Sequence, residues 1–246
     1  MTDLSIVTPM HNEAGNVDSL LAEIVTACDG HDFEVIVVND GSTDDTAEKV
    51  LALAKTDDRI RLLNHPTAGG QSAAVHSGVK GARGAIVCTL DGDGQNPPSE
   101  LPKLFNVLMA DQTGRIGLVA GQRVARQDTA SKKWASKFAN SLRAWILKDG
   151  TRDTGCGLKG FRRAAFLTLP YFDHMHRYLP ALFKRDNWQV ELVDVSHRER
   201  QAGQSKYTNF RRAINGLPDL FCVAWLIKRR KKATANEIFA NGTDNG

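Results

Sequence analysis

Ile86-Val87-Cys88-Thr89-Leu90-Asp91-Gly92-Asp93-Gly94-Gln95-Asn96-Pro97-Pro98 decides the fold. Ile86 to Leu90 reads as a short buried strand. It stops on a carboxylate, and a glycine on each side of Asp93 permits a tight turn. Pro98 then suits the start of a helix with an apolar face of Leu101, Leu104, Phe105 and Leu108. The same unit recurs on either side. Leu4–Thr8 is an apolar strand stopped by Pro9, and Asn16 is placed to cap a helix through Val17, Leu20, Leu21, Ile24 and Val25. Glu34–Val38 is a second strand, ending at Asn39-Asp40-Gly41. Ser42 or Thr43 is expected to cap a helix through Ala47, Val50, Leu51 and Ala54. Ile60–Leu63, a small-residue helix over Gln71–Ala82 and a strand at Gly117–Ala120 complete the series. Alternating strands and helices predict an α/β fold, a mostly parallel sheet with helices on both faces. Such sheets bind ligands beyond the carboxyl ends of their strands, where the acidic and glycine-rich turns fall.

The 246 residues are 41% hydrophobic and 24% charged, values of a globular chain. No apolar run approaches the roughly 20 residues of a membrane span, and Met1-Thr2-Asp3 lacks the basic start of a secretory signal. Cys28, Cys88, Cys156 and Cys222 form no CxxC, which argues against a zinc ribbon or a disulfide scaffold. The charge is divided. Residues 1–122 carry 8 Lys and Arg against 17 Asp and Glu, whereas residues 123–232 carry 24 against 9. An acidic half suits a metal, and a basic half suits phosphates or an anionic surface.

Two turns in the acidic half carry candidate chemistry. Asp91, Asp93 and the Gln95 carbonyl are spaced to converge on one hard cation, Mg²⁺ or Mn²⁺; a solvated acidic turn is the plain alternative. An EF-hand is excluded, because its sixth position would be Asn96 and its twelfth Pro102. Asp40, at the end of the second strand in Asn39-Asp40-Gly41-Ser42-Thr43-Asp44, can accept hydrogen bonds from a nucleobase or ribose, although turn and cap chemistry explains the same residues. No GxGxxG follows the first strand, which argues against a dinucleotide site.

Taken in order, Pro9…Asn12-Glu13, Asn39–Asp44, Gly70-Gln71-Ser72 and Asp91–Pro98 resemble the inverting family two glycosyltransferases of GT-A fold. Asp153-Thr154-Gly155-Cys156-Gly157-Leu158-Lys159-Gly160-Phe161-Arg162-Arg163 and Arg200-Gln201-Ala202-Gly203-Gln204-Ser205-Lys206-Tyr207 resemble its polyprenyl-phosphate branch, typified by dolichol-phosphate mannose synthase. The resemblance covers roughly residues 4–227 and implies a single GT-A domain over 1–232, with a nucleotide- and metal-binding half at 1–122 and an acceptor half at 123–232. It implies that Asp40 contacts the base, that Pro9, Glu13 and Gln71 line the donor pocket, and that Asp91, Asp93 and Gln95 hold the metal on the donor diphosphate. It places Arg123 on the acceptor loop and Arg200, Ser205 and Lys206 around the phosphates, and it turns Asp153 towards the sugar. The branch usually has Ala and Leu where this chain has Gly92 and Gly94, which loosens the turn without removing a ligand.

The basic half also reads as interface helices. At about 100° per residue, Trp134, Phe138, Leu142, Trp145 and Ile146 share one sector, flanked by Lys133, Lys137 and Lys148, with Lys132 and Arg143 opposite. Tyr207–Lys232 carries a second apolar stripe and ends in Lys228-Arg229-Arg230-Lys231-Lys232. Such helices suit an anionic membrane surface or a separate membrane protein, and an ordinary helix packed on the sheet is the alternative. Nucleic acid is disfavoured, because no nucleic-acid module accompanies the cations. Residues 233–246 read as a disordered tail. His65, His174 and His176 have no metal-ligand spacing, and Cys156 reads as pocket lining. The expected activity is metal-dependent transfer of a sugar from GDP-mannose or a UDP-hexose to a polyprenyl phosphate, peripherally at the cytoplasmic membrane face. A polysaccharide or other non-lipid acceptor, and an inactive binding module, are the rivals.

Overall fold

A computed structural model of the chain describes residues 2–124, 143, 146–147, 149–198, 209–231 and 233. The elements run β1 (Leu4–Met10), α1 (Val17–Ala27), β2 (Phe33–Asp40), α2 (Thr46–Ala54), β3 (Ile60–His65), α3 (Gln71–Gly81), β4 (Ile86–Thr89), α4 (Leu101–Ala110) and β5 (Ile116–Arg123). After them come β6 (Lys159–Arg162), α5 (Arg163–Leu167), α6 (Leu179–Arg185), β7 (Gln189–Val195) and α7 (Asn209–Lys228). The strands form one seven-stranded sheet in the order β3-β2-β1-β4-β6-β5-β7. β6 runs antiparallel to both β4 and β5, and the other pairings are parallel. The expected mostly parallel sheet is therefore present, with one reversed strand inside it, fifth in the order. The acidic and basic halves share it.

Successive strand residues point to opposite faces, and both faces are covered. Leu4, Ile6, Val35 and Val37 pack with α1 and α4 on one side. Val7, Ile36 and Val38 pack with α3, α5, α6 and the end of α7 on the other. The β-branched runs of β1 and β2 are hydrophobic on both sides for this reason.

Several local expectations fail for identifiable reasons. The second helix starts at Thr46, not at Ser42 or Thr43. Those two residues are drawn to the neighbouring turn: Asn12 N donates to Ser42 Oγ (2.9 Å) and Thr43 N to Asn12 Oδ1 (2.7 Å). Asp45 holds the N-cap position without a side-chain cap bond, and Asp44 Oδ1 accepts from Thr46 N at 3.1 Å. Asn16 sits at the head of α1, but its side chain makes no cap and instead donates to Glu13 Oε2 at 2.6 Å. Leu51, placed on a buried face, is 50% exposed. Arg143, placed away from the apolar sector of its helix, is buried, with its guanidinium on Asp149.

Candidate active site

The turns after β1, β2 and β4 meet at the carboxyl edge of the sheet. Asp40 ends β2 and is almost fully buried. Its Oδ1 meets His65 Nδ1 at 2.7 Å and accepts from Gly69 N at 2.8 Å, while Oδ2 accepts from Gly70 N at 2.8 Å. Burial acts to raise the Asp40 pKa, but the hydrogen bonds from His65, Gly69 and Gly70 prevail and hold it below the usual carboxylate range. Asp40 thus folds the turn that opens α3, where Gly70 has φ +86°. Pro9 lies on β1 beside Val38. Glu13 is fastened through Thr46 Oγ1, which accepts from Glu13 N at 3.0 Å, and through Asn16.

The Asp91–Asn96 turn lies beside these groups. Gln71 Nε2, at the start of α3, donates to Asp91 Oδ1 at 2.6 Å, and Asn96 Nδ2 reaches Oδ2 at 3.3 Å. Asp93 Oδ1 accepts from Gln95 N at 3.1 Å. The turn is packed closely against β1, since a Cβ on Gly92 would stand 2.7 Å from Met10 Cγ and 2.8 Å from the Pro9 carbonyl oxygen. Burial, and then the charge of Asp93, push the Asp91 pKa up to about 6.

The donors at this turn suit a divalent cation. Two carboxylates that repel one another, supplied as oxygen donors, suit Mg²⁺ or Mn²⁺. The space is kept by Gly157, whose Cβ would overlap the Asp91 carboxylate. No group of three or more His, Cys, Asp or Glu is gathered for a metal among the described residues. Asp91, Asp93 and Gln95 could hold such an ion, with further ligands from substrate and water.

The basic half contributes the opposite wall. Arg123, the last residue of β5, grips Asp153 with two hydrogen bonds, Nε to Oδ2 at 2.5 Å and Nη2 to Oδ1 at 2.9 Å. Gln122 Oε1 accepts from the backbone N of Arg152 and of Asp153, both at 2.9 Å, and fixes that loop. Both sequence-predicted residues are here, and they are paired with each other. Lys159 on β6 is buried and donates to the Cys156 carbonyl. Burial lowers its pKa, against the pull of Cys156, Asp91 and Asp153. Cys156 is buried under Gly121, and burial pushes its thiol up. Cys28 and Cys88 are also buried, whereas Cys222 on α7 is exposed. Arg200, Ser205, Lys206, Trp134, Phe138, Leu142, Trp145 and all but Ala233 of the 233–246 tail lie outside the described residues.

The glycosyl transferase family 2 domain matches residues 5–169. This chain belongs to that family. The family 2 chain is 34% identical over 220 residues to the undecaprenyl-phosphate 4-deoxy-4-formamido-L-arabinose transferase of Salmonella paratyphi B, covering 88% of this chain and 66% of that protein. It thus spans just under two thirds of the length of that curated relative. Among solved structures it is similar to a mannosyltransferase of Pyrobaculum calidifontis in complex with GDP-Man and Mn²⁺ (TM-score 0.66, 22% identity, 94% of this chain and 65% of that one). It is also similar to the glucosyl-3-phosphoglycerate synthase of Mycobacterium tuberculosis with Mn²⁺, UDP-glucose and glycerol 3-phosphate (TM-score 0.65, 20% identity, 92% and 78%). These two likenesses establish the GT-A fold.

Some site residues of this family 2 chain escaped sequence reasoning. Lys159 stands next to Asp91 only because β6 pairs antiparallel with β4, Thr89 opposite Lys159. His176 approaches α3 from a loop far along the chain, with Nδ1 2.7 Å from Ser72 Oγ. Burial drives its pKa well down. Only the Lys159 position lay within a motif already singled out.

Proposed function

We propose that this chain transfers a sugar from a nucleotide-diphosphate donor to a polyprenyl phosphate, with inversion, at the cytoplasmic face of a membrane. The observation that carries the reading is the Asp91–Asp93 pair, set between the Asp40-held start of α3 and the Arg123–Asp153–Lys159 wall. The resemblance of the donor motifs and the lipid-phosphate acceptor in the name of the Salmonella relative support it. Asp91, Asp93 and Gln95 would hold Mg²⁺ or Mn²⁺, which when bound neutralises the leaving diphosphate. The donor lies across Pro9, Glu13, Asp40 and Gln71, with GDP-mannose and the UDP-hexoses as candidates. Asp153, aligned by Arg123, faces the sugar. An acceptor phosphate is anionic at neutral pH, so its oxygen attacks the anomeric carbon without a strong base. Arg123, with Arg200, Ser205 and Lys206, steadies the phosphates and holds the attack in line.

The end of α7 supports attachment to an anionic surface. Leu220 and Val223 enter the core, while Phe221 and Trp225 are 65% and 57% exposed. Phe221, Trp225 and Lys228 share one face by helical spacing, and exposed cations continue through Lys231. No helix among the described residues is long and apolar enough to cross a membrane. Aromatic groups beside a run of cations are the two signals that reversible anchoring uses.

The test is a matrix of UDP- and GDP-sugars with Mn²⁺ against undecaprenyl phosphate and a non-lipid phosphate acceptor, with products read by mass spectrometry. A glycosylated lipid phosphate is expected. Transfer to the non-lipid acceptor alone would overturn the acceptor assignment. Replacing Lys228, Arg229, Arg230, Lys231 and Lys232 by Gln should release the protein from anionic liposomes while sparing donor binding. A wild-type protein that ignores such liposomes removes direct lipid anchoring. A Gln variant that fails on pure lipid but still sediments with native membranes would point to a partner protein.

A further inference from the structure

The Asp91–Asn96 turn has two glycines on the flanks of Asp93, and Gly94 adopts φ +72°. Glycine carries the largest conformational freedom of any residue, so the position of Asp93 and Gln95 must be fixed from outside. Arg198, three residues past β7, reaches this turn from the other end of the chain. Its backbone N donates to the Gln95 carbonyl at 3.0 Å, and its Nε donates to the Gly94 carbonyl. Its Nη1 and Nη2 fork onto Glu23 of α1, at 3.0 Å to Oε2 and 3.1 Å to Oε1. One guanidinium therefore ties the glycine turn to α1, a helix whose Val17, Leu20, Leu21 and Ile24 are locked into the core. The preceding Ser196 Oγ donates to Glu100 Oε1 at 2.8 Å, at the far end of the same loop. The segment 196–198 thus brackets residues 94–100 at both ends.

We propose that Arg198 is a positioning residue of the transfer site, the clamp that sets the Asp93–Gln95 turn for the divalent cation. It supplies through side-chain bonds the order that Gly92 and Gly94 remove from the backbone. Planarity matters: the guanidinium edge can reach a carbonyl with Nε while its far end forks onto a carboxylate, which a lysine ammonium cannot do. Groups that orient metal ligands without touching the metal typically cost 10–100-fold in affinity when lost. The proposal rests on the metal-dependent reading above, and its test separates the two.

Mn²⁺ binding in the presence of saturating UDP or GDP is measured by electron paramagnetic resonance on wild type, Arg198→Met, Arg198→Lys and Glu23→Gln. Amide exchange over residues 92–96 is followed in the metal-free proteins. Arg198→Met should weaken Mn²⁺ binding about tenfold and speed exchange at the Gln95 amide, which bonds Asp93. Raising Mn²⁺ should restore most of kcat. Arg198→Lys should remain weakened, and Glu23→Gln should shift in the same direction by less. A folded Arg198→Met protein with wild-type Mn²⁺ affinity overturns the proposal, and the role is then a surface fastening. If wild type binds no Mn²⁺ with either nucleotide, the metal reading is what fails. Unchanged protection of Gln95 in Arg198→Met then overturns the clamp as well.

Discussion

Glu34 lies near the amino end of β2 and Asp91 just past the carboxyl end of β4, the two strands that flank β1. Near the amino edge, Glu34 Oε1 accepts from Ser5 Oγ (2.7 Å) and Arg83 N (2.6 Å), and Oε2 pairs with Arg61 at 2.5 Å. Burial alone would raise its pKa, yet the bonds from Arg83, Ser5 and Arg61 bring it below the ordinary value. At the carboxyl edge, Asp91 meets amides and a second carboxylate, and its pKa goes up. One carboxylate is satisfied by the fold. The other keeps a raised pKa, because burial and the charge of Asp93 outweigh Lys159, Arg123 and the Asn96 bond.

The contrast can be broken by substitution. Asp91→Asn or Asp93→Asn should remove sugar transfer by more than the roughly 100-fold that outer-shell changes cost, and EDTA should do the same to wild type. Metal-free Asp91→Asn should melt above wild type, because a poorly compensated charge is gone. A lower melting temperature would place Asp91 with Glu34 among the scaffold carboxylates. Glu34→Gln should lower stability by about 3 kcal/mol, measured by urea unfolding, with Mn²⁺ affinity unchanged.

Acid sharpens the same comparison. A carboxylate with a lowered folded pKa stabilises the protein fully above its unfolded value of about 4.3 and loses that contribution as pH falls through the folded value. The melting gap between wild type and Glu34→Gln should therefore be widest near neutrality and close on acidification. A gap that is constant with pH would show that packing, not charge, sets the Glu34 contribution. The smallest expected effect lies at Asp40. Asp40→Asn should raise the donor KM about tenfold, through the slackened Gly69–Gly70 turn as much as through any contact with the base. Steady-state kinetics with the donor varied would read it, and an unchanged KM would remove Asp40 from the donor site.

The strands, their order in the chain and the metal-type turn were legible because each is a local pattern. Val35 to Val38 is β-branched and buried on both faces, and Asp91 follows its strand directly. The caps were misread where two turns bond each other: Ser42 and Thr43 serve Asn12, a contact between residues about thirty positions apart. Arg143 read as a cation opposite the apolar sector because helical spacing does not reveal a partner such as Asp149. Arg198, and the approach of Lys159 to Asp91, were invisible for a related reason. Their roles arise from strand pairing and loop return, and no spacing along the chain records which strand is reversed. The Arg123–Asp153 grip joins two residues that the motifs named separately.

The distribution of thiols has a practical consequence. Cys28, Cys88 and Cys156 are sealed in the interior, and burial pushes the Cys28 thiol up to about 12. Cys222 is exposed on α7, between Phe221 and Val223. A maleimide fluorophore or spin label offered to the native protein will report from that one helix. Wavelength shift or collision quenching there reads how deeply the aromatic face sits in a vesicle along a titration of anionic lipid, with no cysteine to be introduced and none to be removed.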